Sequence, residues 1–172
     1  PKEMEKALEL FGPLLKKYNV RRVDNLLWLG KFKDVELMIS QLPKADAILA
    51  ETRVALQKKS YGVDKLISNL PMEFKNNAGL IFDRFSYRRQ KKLHGSAEQL
   101  LLNYSISVEA LGKPHLWAKA RKAYVRRALI RGQYDVAYKI ASNHFIDFSE
   151  YQLVSELADL ESMVAKSTFG DL

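Results

Sequence analysis

The sequence has no cysteine, few helix-breaking residues and no long apolar run. Without cysteine the chain forms no disulfide, has no thiol nucleophile and binds no metal through sulfur. Eight glycines and five prolines among 172 residues are too few for a collagen-like or low-complexity chain. No apolar run approaches the about 20 residues that a membrane-spanning helix needs, so we expect no membrane span. The composition is typical of a chain with one ordinary hydrophobic core.

The signatures of several large enzyme classes are also missing. There is no GxGxxG run, no Walker loop, no HExxH and no GxSxG. His94, His115 and His144 are too scattered along the chain to suggest a metal cluster. We therefore predict no cofactor, no metal and no catalytic residue within these 172 residues.

The charge is strongly positive and unevenly distributed. The formal net charge is +8, which suggests an anionic partner without naming one. Residues 84–92 hold five cations and no acid, and residues 116–145 hold seven cations and one acid, whereas acids dominate after Asn143. We expect the acidic last helix to pack beside the basic segment and partly neutralise it.

Apolar residues recur at helical spacing along nearly the whole chain, and strand-like alternation is hardly visible. This pattern predicts an all-α protein. The predicted helices cover residues 4–15, 23–29, 35–39, 47–57, 63–67, 80–91, 97–102, 117–130, 136–141 and 151–164. The predicted breaks lie at Gly30, Pro43, Gly62, Pro71, Gly95, Pro114 and Gly132, where helices usually start or stop.

The breaks also show a degenerate repeat. "ISQLP" at 39–43 and "ISNLP" at 67–71 close two successive units 28 residues apart, and each unit has a long helix, a turn and a short helix. This is typical of a helical-hairpin solenoid, in which each hairpin buries its apolar face against its neighbours. We predict a single domain over residues 1–172, an α-superhelix of degenerate hairpins. A globular bundle without solenoid order is the alternative.

The helix predicted over 117–130 places one cation among its apolar residues. At about 100° per residue, Arg121 lies about 40° from Trp117 and falls within the apolar stripe. A buried Arg121 needs carbonyl partners or a carboxylate such as Glu150 or Glu156. Alternatively, Trp117 and Arg121 face a groove and contact a ligand by stacking and charge. The stripe also contains Ala120, Tyr124, Val125 and Ala128, and Lys119, Lys122 and Arg126 lie opposite.

Four segments carry runs that occur together in one family of helical proteins. The segments are 20–43, 50–71, 77–105 and 115–144. Their runs are Arg22-Val23-Asp24-Asn25-Leu26-Leu27, then Gly79-Leu80 with Arg84 and Arg88, then Trp117 with Arg121, Arg126 and Arg127, and finally Ala137-Tyr138. In this order the segments resemble the α-superhelical domain of the soluble lytic murein transglycosylases of Gram-negative bacteria.

The resemblance implies a periplasmic protein that acts on peptidoglycan. Enzymes of this family cleave the glycan between N-acetylmuramic acid and N-acetylglucosamine without water and leave a 1,6-anhydro sugar. One Glu of a separate C-terminal lysozyme-like domain acts as both acid and base. Here Glu161-Ser162 matches the first two letters of the family's catalytic motif, but the Gly-Leu-Met-Gln run does not follow. We therefore expect the chain, which starts at Pro1 like an excised piece, to be inactive alone.

The resemblance also implies a set of substrate-contact candidates, namely Arg84, Arg88, Trp117, Arg121, Arg126 and Arg127. The main alternative is a helical-repeat interaction scaffold without enzyme activity, which binds a protein partner in a groove lined by Tyr124, Tyr134 and Tyr138. Nucleic-acid binding is a weaker alternative, because single-strand sites need exposed aromatic rings and Trp117 and Tyr124 are predicted to face inward. We therefore expect no nucleic-acid partner.

Overall fold

The computed structural model describes residues 2–3, 5–6, 11, 18–147 and 154–169, and all regular structure in these ranges is helical. The all-α prediction is confirmed. From Asn19 onward the α-helices are α1 (Asn19–Trp28), α2 (Phe32–Met38), α3 (Lys44–Gln57), α4 (Val63–Ser68), α5 (Ala78–Gln90), α6 (His94–Tyr104), α7 (Val108–Leu111), α8 (Pro114–Ile130), α9 (Tyr134–Ser142) and α10 (Val154–Phe169).

Four of these helices end in the same hydrogen-bonded turn. In each turn one residue has a left-handed backbone, and its N–H donates to the carbonyl three residues earlier at 3.0–3.1 Å. The next N–H donates to the carbonyl five residues before it at 2.9 Å, which completes a Schellman motif. The left-handed residues, which follow α1, α3, α5 and α8, are Gly30, Lys59, Lys92 and Gly132.

Three of the turns also lead into the next helix at the same register. The second helix starts two residues after Gly30, Lys92 and Gly132, at Phe32, His94 and Tyr134. The residue five positions after the left-handed one is then fully buried, as Val35, Ala97 or Ala137. A helical-hairpin repeat is therefore present in the local geometry, although the spacing between hairpins varies.

The described structure divides into two compact units, residues 1–87 and 88–172. In the first unit α1, α2 and α3 pack together, and α4 packs on α3. Among its described residues, the core includes one cluster around Val23, Val35 and Val54 and another around Leu56, Val63 and Leu80. In the first cluster, buried residues recur at three to four positions within each helix, which explains why one face of each helix is buried. The pairs are Val23 and Leu27, Val35 and Met38, and Ala50 and Val54.

In the second unit α9 packs against α6, α8 and α10, and α10 also contacts α8. The apolar stripe predicted for α8 is confirmed, because Trp117, Ala120, Tyr124, Val125 and Ala128 are all buried. Pro114 stands at the first position of α8, where its missing N–H costs nothing. Small residues at Ala137 and Ala141, both without exposed surface, face the neighbouring helices.

Several predicted boundaries need correction. Gly95 was expected to break a helix but is the second residue of α6, and the break lies at the left-handed Lys92 instead. The one-turn helix α7, with Ser107 Oγ accepting from Ala110 N at 3.1 Å, was not predicted. Most of the helix predicted over 4–15, and the start of that predicted over 151–164, lie outside the described residues.

Candidate functional site

The first unit is organised around a buried arginine, Arg53, on α3. Its side chain is 1% exposed, yet two carboxylates reach it. Arg53 Nε donates to Asp83 Oδ2 at 2.7 Å, and Arg53 Nη1 donates to Asp24 Oδ1 at 2.6 Å. Charge-assisted bonds of this length are among the strongest that side chains form. Arg53 therefore links α1, α3 and α5 within the unit.

The Arg53 guanidinium is tightly packed on the side that faces Gly79. A Cβ atom added at Gly79 would lie 2.3 Å from Arg53 Cζ, so the glycine backbone forms the floor beneath the charge. The ring centroid of Trp28 lies 5.3 Å from Arg53 Cζ, within the range of a cation–π contact. Asp24 and Gly79, both in the runs quoted for the family resemblance, thus meet at one side chain.

Asp83 completes this buried polar network. Burial raises the pKa of Asp83, an effect that the Arg53 charge and hydrogen bonds from Arg53 and Gln57 oppose and the nearby Asp24 charge reinforces. Gln57 Nε2 donates to Asp83 Oδ1 at 3.0 Å and to the Leu27 carbonyl at 2.9 Å. Two buried polar atoms of the network, Arg53 Nη2 and Gln57 Oε1, have no hydrogen-bond partner among the described residues.

A cavity of about 440 Å³ lies beside the Arg53 network in the first unit. Arg21, Asp24, Asp46 and Arg53 line it together with the Asn77 amide, and the remaining wall is apolar. Asn77 Oδ1 accepts from Leu80 N at 3.0 Å at the start of α5, which orients the amide. The volume lies within the range of about 300–1,000 Å³ typical of small-molecule sites.

Two predicted contact residues, Trp117 and Arg121, lie in the core of the second unit with no exposed surface. Trp117 Nε1 donates to the Leu111 carbonyl at 3.2 Å. Arg121 Nη1 donates to the Ile140 carbonyl at 2.6 Å, and Arg121 Nη2 donates to Ser105 Oγ at 2.8 Å. Arg121 was considered either as a buried structural residue or as a ligand contact in a groove. Its contacts with a carbonyl and a hydroxyl fit the structural role.

The expected carboxylate partners of Arg121 lie outside the described part, since Glu150 and the side chain of Glu156 are not described. Burial lowers the pKa of Arg121 to about 10. The acidic helix α10 does pack against α8, and Lys122 Nζ lies 2.9 Å from Asp159 Oδ2. That bond and the Lys122 charge lower the pKa of Asp159. The expected pairing of the basic and acidic helices is confirmed at this contact.

The other four contact candidates have at least partly exposed side chains. Arg84 and Arg88 on α5 are half-buried, and Arg88 Nη1 donates to the Ser96 carbonyl at 3.3 Å. Arg126 and Arg127 on α8 are exposed. Arg126 and Arg127 are therefore the most exposed of the six predicted substrate-contact residues.

Tyr124, expected to line a peptide groove with Tyr134 and Tyr138, is buried beneath the surface instead. Its hydroxyl lies 3.4 Å from His94 Nδ1, and burial raises its pKa while the Arg127 and Arg89 charges oppose the shift. A groove that uses all three tyrosines is therefore not formed. Within the described ranges, no three His, Asp or Glu side chains come together as a metal site.

Neither Arg53 nor the cavity was predicted from the sequence. The signal was available, because Arg53 lies between the apolar Ala50 and Val54 just as Arg121 lies between Trp117 and Val125. Asp83 follows Leu80 and Ile81 in the same way and provides the complementary charge. A search for oppositely charged residues inside two apolar stripes would have identified the pair.

None of the described helices combines the length and the hydropathy that a membrane-spanning helix needs. Comparisons with models of protein families, with curated proteins and with solved structures find no match to this chain.

Proposed function

We propose that this chain is the non-catalytic, α-superhelical part of a periplasmic lytic murein transglycosylase. In this role it supports non-hydrolytic cleavage of peptidoglycan glycan strands by a separate lysozyme-like domain. The observation that carries the proposal is the ordered, four-segment resemblance, together with helical hairpins that share one turn geometry.

The shared turn suggests how such a scaffold is built. A Schellman motif sets the direction in which the chain leaves a helix, so hairpins with the same motif leave their first helix at similar angles. Hairpins that each bury one face against the next produce a superhelix rather than a closed bundle. The register found after Gly30, Lys92 and Gly132 supports this arrangement.

The residues that carry the resemblance also favour a scaffold over a catalyst. Asp24 and Gly79 contact Arg53, while Trp117 and Arg121 extend from α8 into the core of the second unit. Their contacts stabilise helix packing. Buried packing residues are what a non-catalytic helical domain requires when catalysis takes place in another domain.

The exposed cations on α8 give the scaffold a way to attract its substrate. Arg126 and Arg127 belong to a chain of net charge +8, and peptidoglycan carries carboxylates on its stem peptides. Attraction between exposed charges acts over about one Debye length, roughly 10 Å at 0.1 M salt. We therefore expect binding to murein that weakens as salt is raised.

Co-sedimentation of the purified chain with murein sacculi tests this function. We expect enrichment with sacculi at low salt, partial release at high salt and no 1,6-anhydro-muropeptide product. The double variant Arg126→Gln/Arg127→Gln should bind less, whereas Lys33→Gln/Lys65→Gln, which removes two exposed cations from the first unit, serves as the control of equal charge. Absence of enrichment at low salt would refute the proposal.

A further inference from the structure

The cavity beside Arg53 contains charged groups that the fold does not use. Within the described part of the chain, Arg21 and Asp46 line the cavity but form no ion pair and no side-chain hydrogen bond. Asp24 is different, because its Oδ1 accepts from Arg53 while its side chain remains 47% exposed. An unpaired cation and an unpaired carboxylate thus share one cavity.

The polar groups of the cavity divide into acceptors and donors. Asp46 and the second oxygen of Asp24 can accept from an ammonium group, and Arg21 can donate to a carboxylate. Asn77 uses its oxygen to cap α5, so its amide nitrogen is the part that can donate to a ligand. The apolar wall, which includes Leu49 and Phe74, can cover a small hydrocarbon group.

The charged residues that line the cavity are balanced, although the chain as a whole is basic. Asp24 and Asp46 provide two carboxylates, and Arg21 and Arg53 provide two cations. Because Arg53 and Gly79 are tightly packed, Asp24 is held in place before any ligand arrives. A fixed carboxylate loses little conformational freedom on binding, which favours recognition of a cationic group.

We propose that this cavity binds a small zwitterion, namely a free amino acid or a short peptide with an unblocked ammonium and an unblocked carboxylate. Asp24 and Asp46 hold the ammonium group, while Arg21 and the Asn77 amide hold the carboxylate. The apolar wall receives a small side chain such as a methyl group. The cavity alone carries this inference, whether or not the chain binds murein.

Titration of the 172-residue chain with alanyl-alanine, followed by amide chemical shifts, tests the inference. Alanyl-alanine amide lacks the carboxylate, and N-acetyl-alanyl-alanine lacks the ammonium. We expect saturable shifts at cavity residues with the free dipeptide, and binding about tenfold or more weaker for each blocked form, since each loses one charge-assisted contact. No saturable shift in the millimolar range, or equal affinity for all three peptides, would overturn it.

A matched pair of variants locates the site. Asp46 and Asp64 both lie in the first turn of a helix in the first unit, but only Asp46 lines the cavity. Asp46→Asn should weaken binding of the free dipeptide about tenfold, and Asp64→Asn should leave it unchanged. Equal affinities of the two variants would refute the site even if the dipeptide binds.

The dipeptide titration tests the cavity assignment, and the sacculus assay tests the proposed function, so either proposal can be refuted without the other. A chain that sediments with sacculi but does not bind the dipeptide contradicts the cavity assignment alone. A chain that binds the dipeptide but not sacculi contradicts only the proposed function.

Discussion

Among the residues described, each unit of this protein contains one arginine with at most 1% of its surface exposed, but the two charges are compensated differently. Arg53 is held by two carboxylates, one of them 5% exposed, and lies over a tryptophan ring. Arg121 is held by a backbone carbonyl and a serine hydroxyl. Burial lowers the pKa of Arg121 to about 10, so it remains charged at neutral pH.

A buried arginine therefore has two different structural roles in this chain. Arg53 balances buried negative charge, and its removal leaves Asp83 without its cation. Arg121 satisfies an orphan carbonyl near the C-terminal end of α9, where a cation also interacts favourably with the helix dipole. Four measurements test this difference between Arg53 and Arg121.

Replacement of Arg53 should have the largest effect. Arg53→Met leaves Asp83 buried beside Asp24, and we expect a loss of about 3–5 kcal/mol in the free energy of unfolding, measured with urea. Arg53→Met/Asp83→Leu should recover part of this loss, because the unpaired buried charge is gone. A loss below about 1 kcal/mol for Arg53→Met would contradict the charge-balancing role.

Replacement of Arg121 should lower the free energy of unfolding less than replacement of Arg53 does. Arg121→Met leaves the Ile140 carbonyl and the Ser105 hydroxyl without this donor, which we expect to cost about 1–3 kcal/mol in the same unfolding experiment. Lys119→Met on the exposed side of α8 is the control and should change stability by less than about 0.5 kcal/mol. A cost as large as that of Arg53→Met would show that the compensation of the two arginines is not what distinguishes them.

A methyl group at Gly79 tests the packing around Arg53. Gly→Ala inside a helix usually stabilises by up to about 1 kcal/mol, but here the new methyl would overlap the Arg53 guanidinium. We expect Gly79→Ala to be destabilising by up to about 2 kcal/mol, as overpacking outweighs helix propensity. Gly95→Ala, with no atom within 4 Å of the added Cβ, should stabilise. Thermal unfolding of both variants tests the sign, and stabilisation by both would contradict the close contact.

The smallest effect should be a pH dependence near Arg121. Burial lowers the pKa of His144 below 6.5, the Arg121 charge lowers it further, and Glu161 opposes the shift. The unfolded chain therefore takes up a proton at His144 before the folded chain does, so stability falls as the pH drops through about 6.5. NMR titration of His144 should give a higher pKa in Arg121→Met than in the unchanged chain. An unaltered pKa would show that the Arg121 charge does not act on His144.

Much of the helical structure followed from local patterns. The long helices and the turns at Gly30, Gly62 and Gly132 were predicted because apolar spacing and glycine act within a few residues of sequence. The left-handed Lys92 was missed, since lysine carries no turn signal and the Schellman hydrogen bonds decide its conformation. The helix α7 was missed because a single turn is too short for periodicity to register.

The residues of the candidate site were harder to predict from the sequence than the helices were. Arg121 was identified as a cation in an apolar stripe, but its partners lie in other segments, Ile140 on α9 and Ser105 in the turn after α6. Trp117 was a contact candidate, and only packing showed that it has no exposed surface. The cavity residues Arg21, Asp46 and Asn77 come from three separate segments, so no local motif connects them.

An all-α chain of helical hairpins was predictable without coordinates, because helix periodicity and turn residues act locally. The same periodicity was enough to assign one side of α8 to solvent and the other to the core. By contrast, the buried network of Arg53, Asp24 and Asp83 beside a cavity depends on tertiary packing. These contacts join residues about 30 positions apart, and their distances depend on how the helices pack.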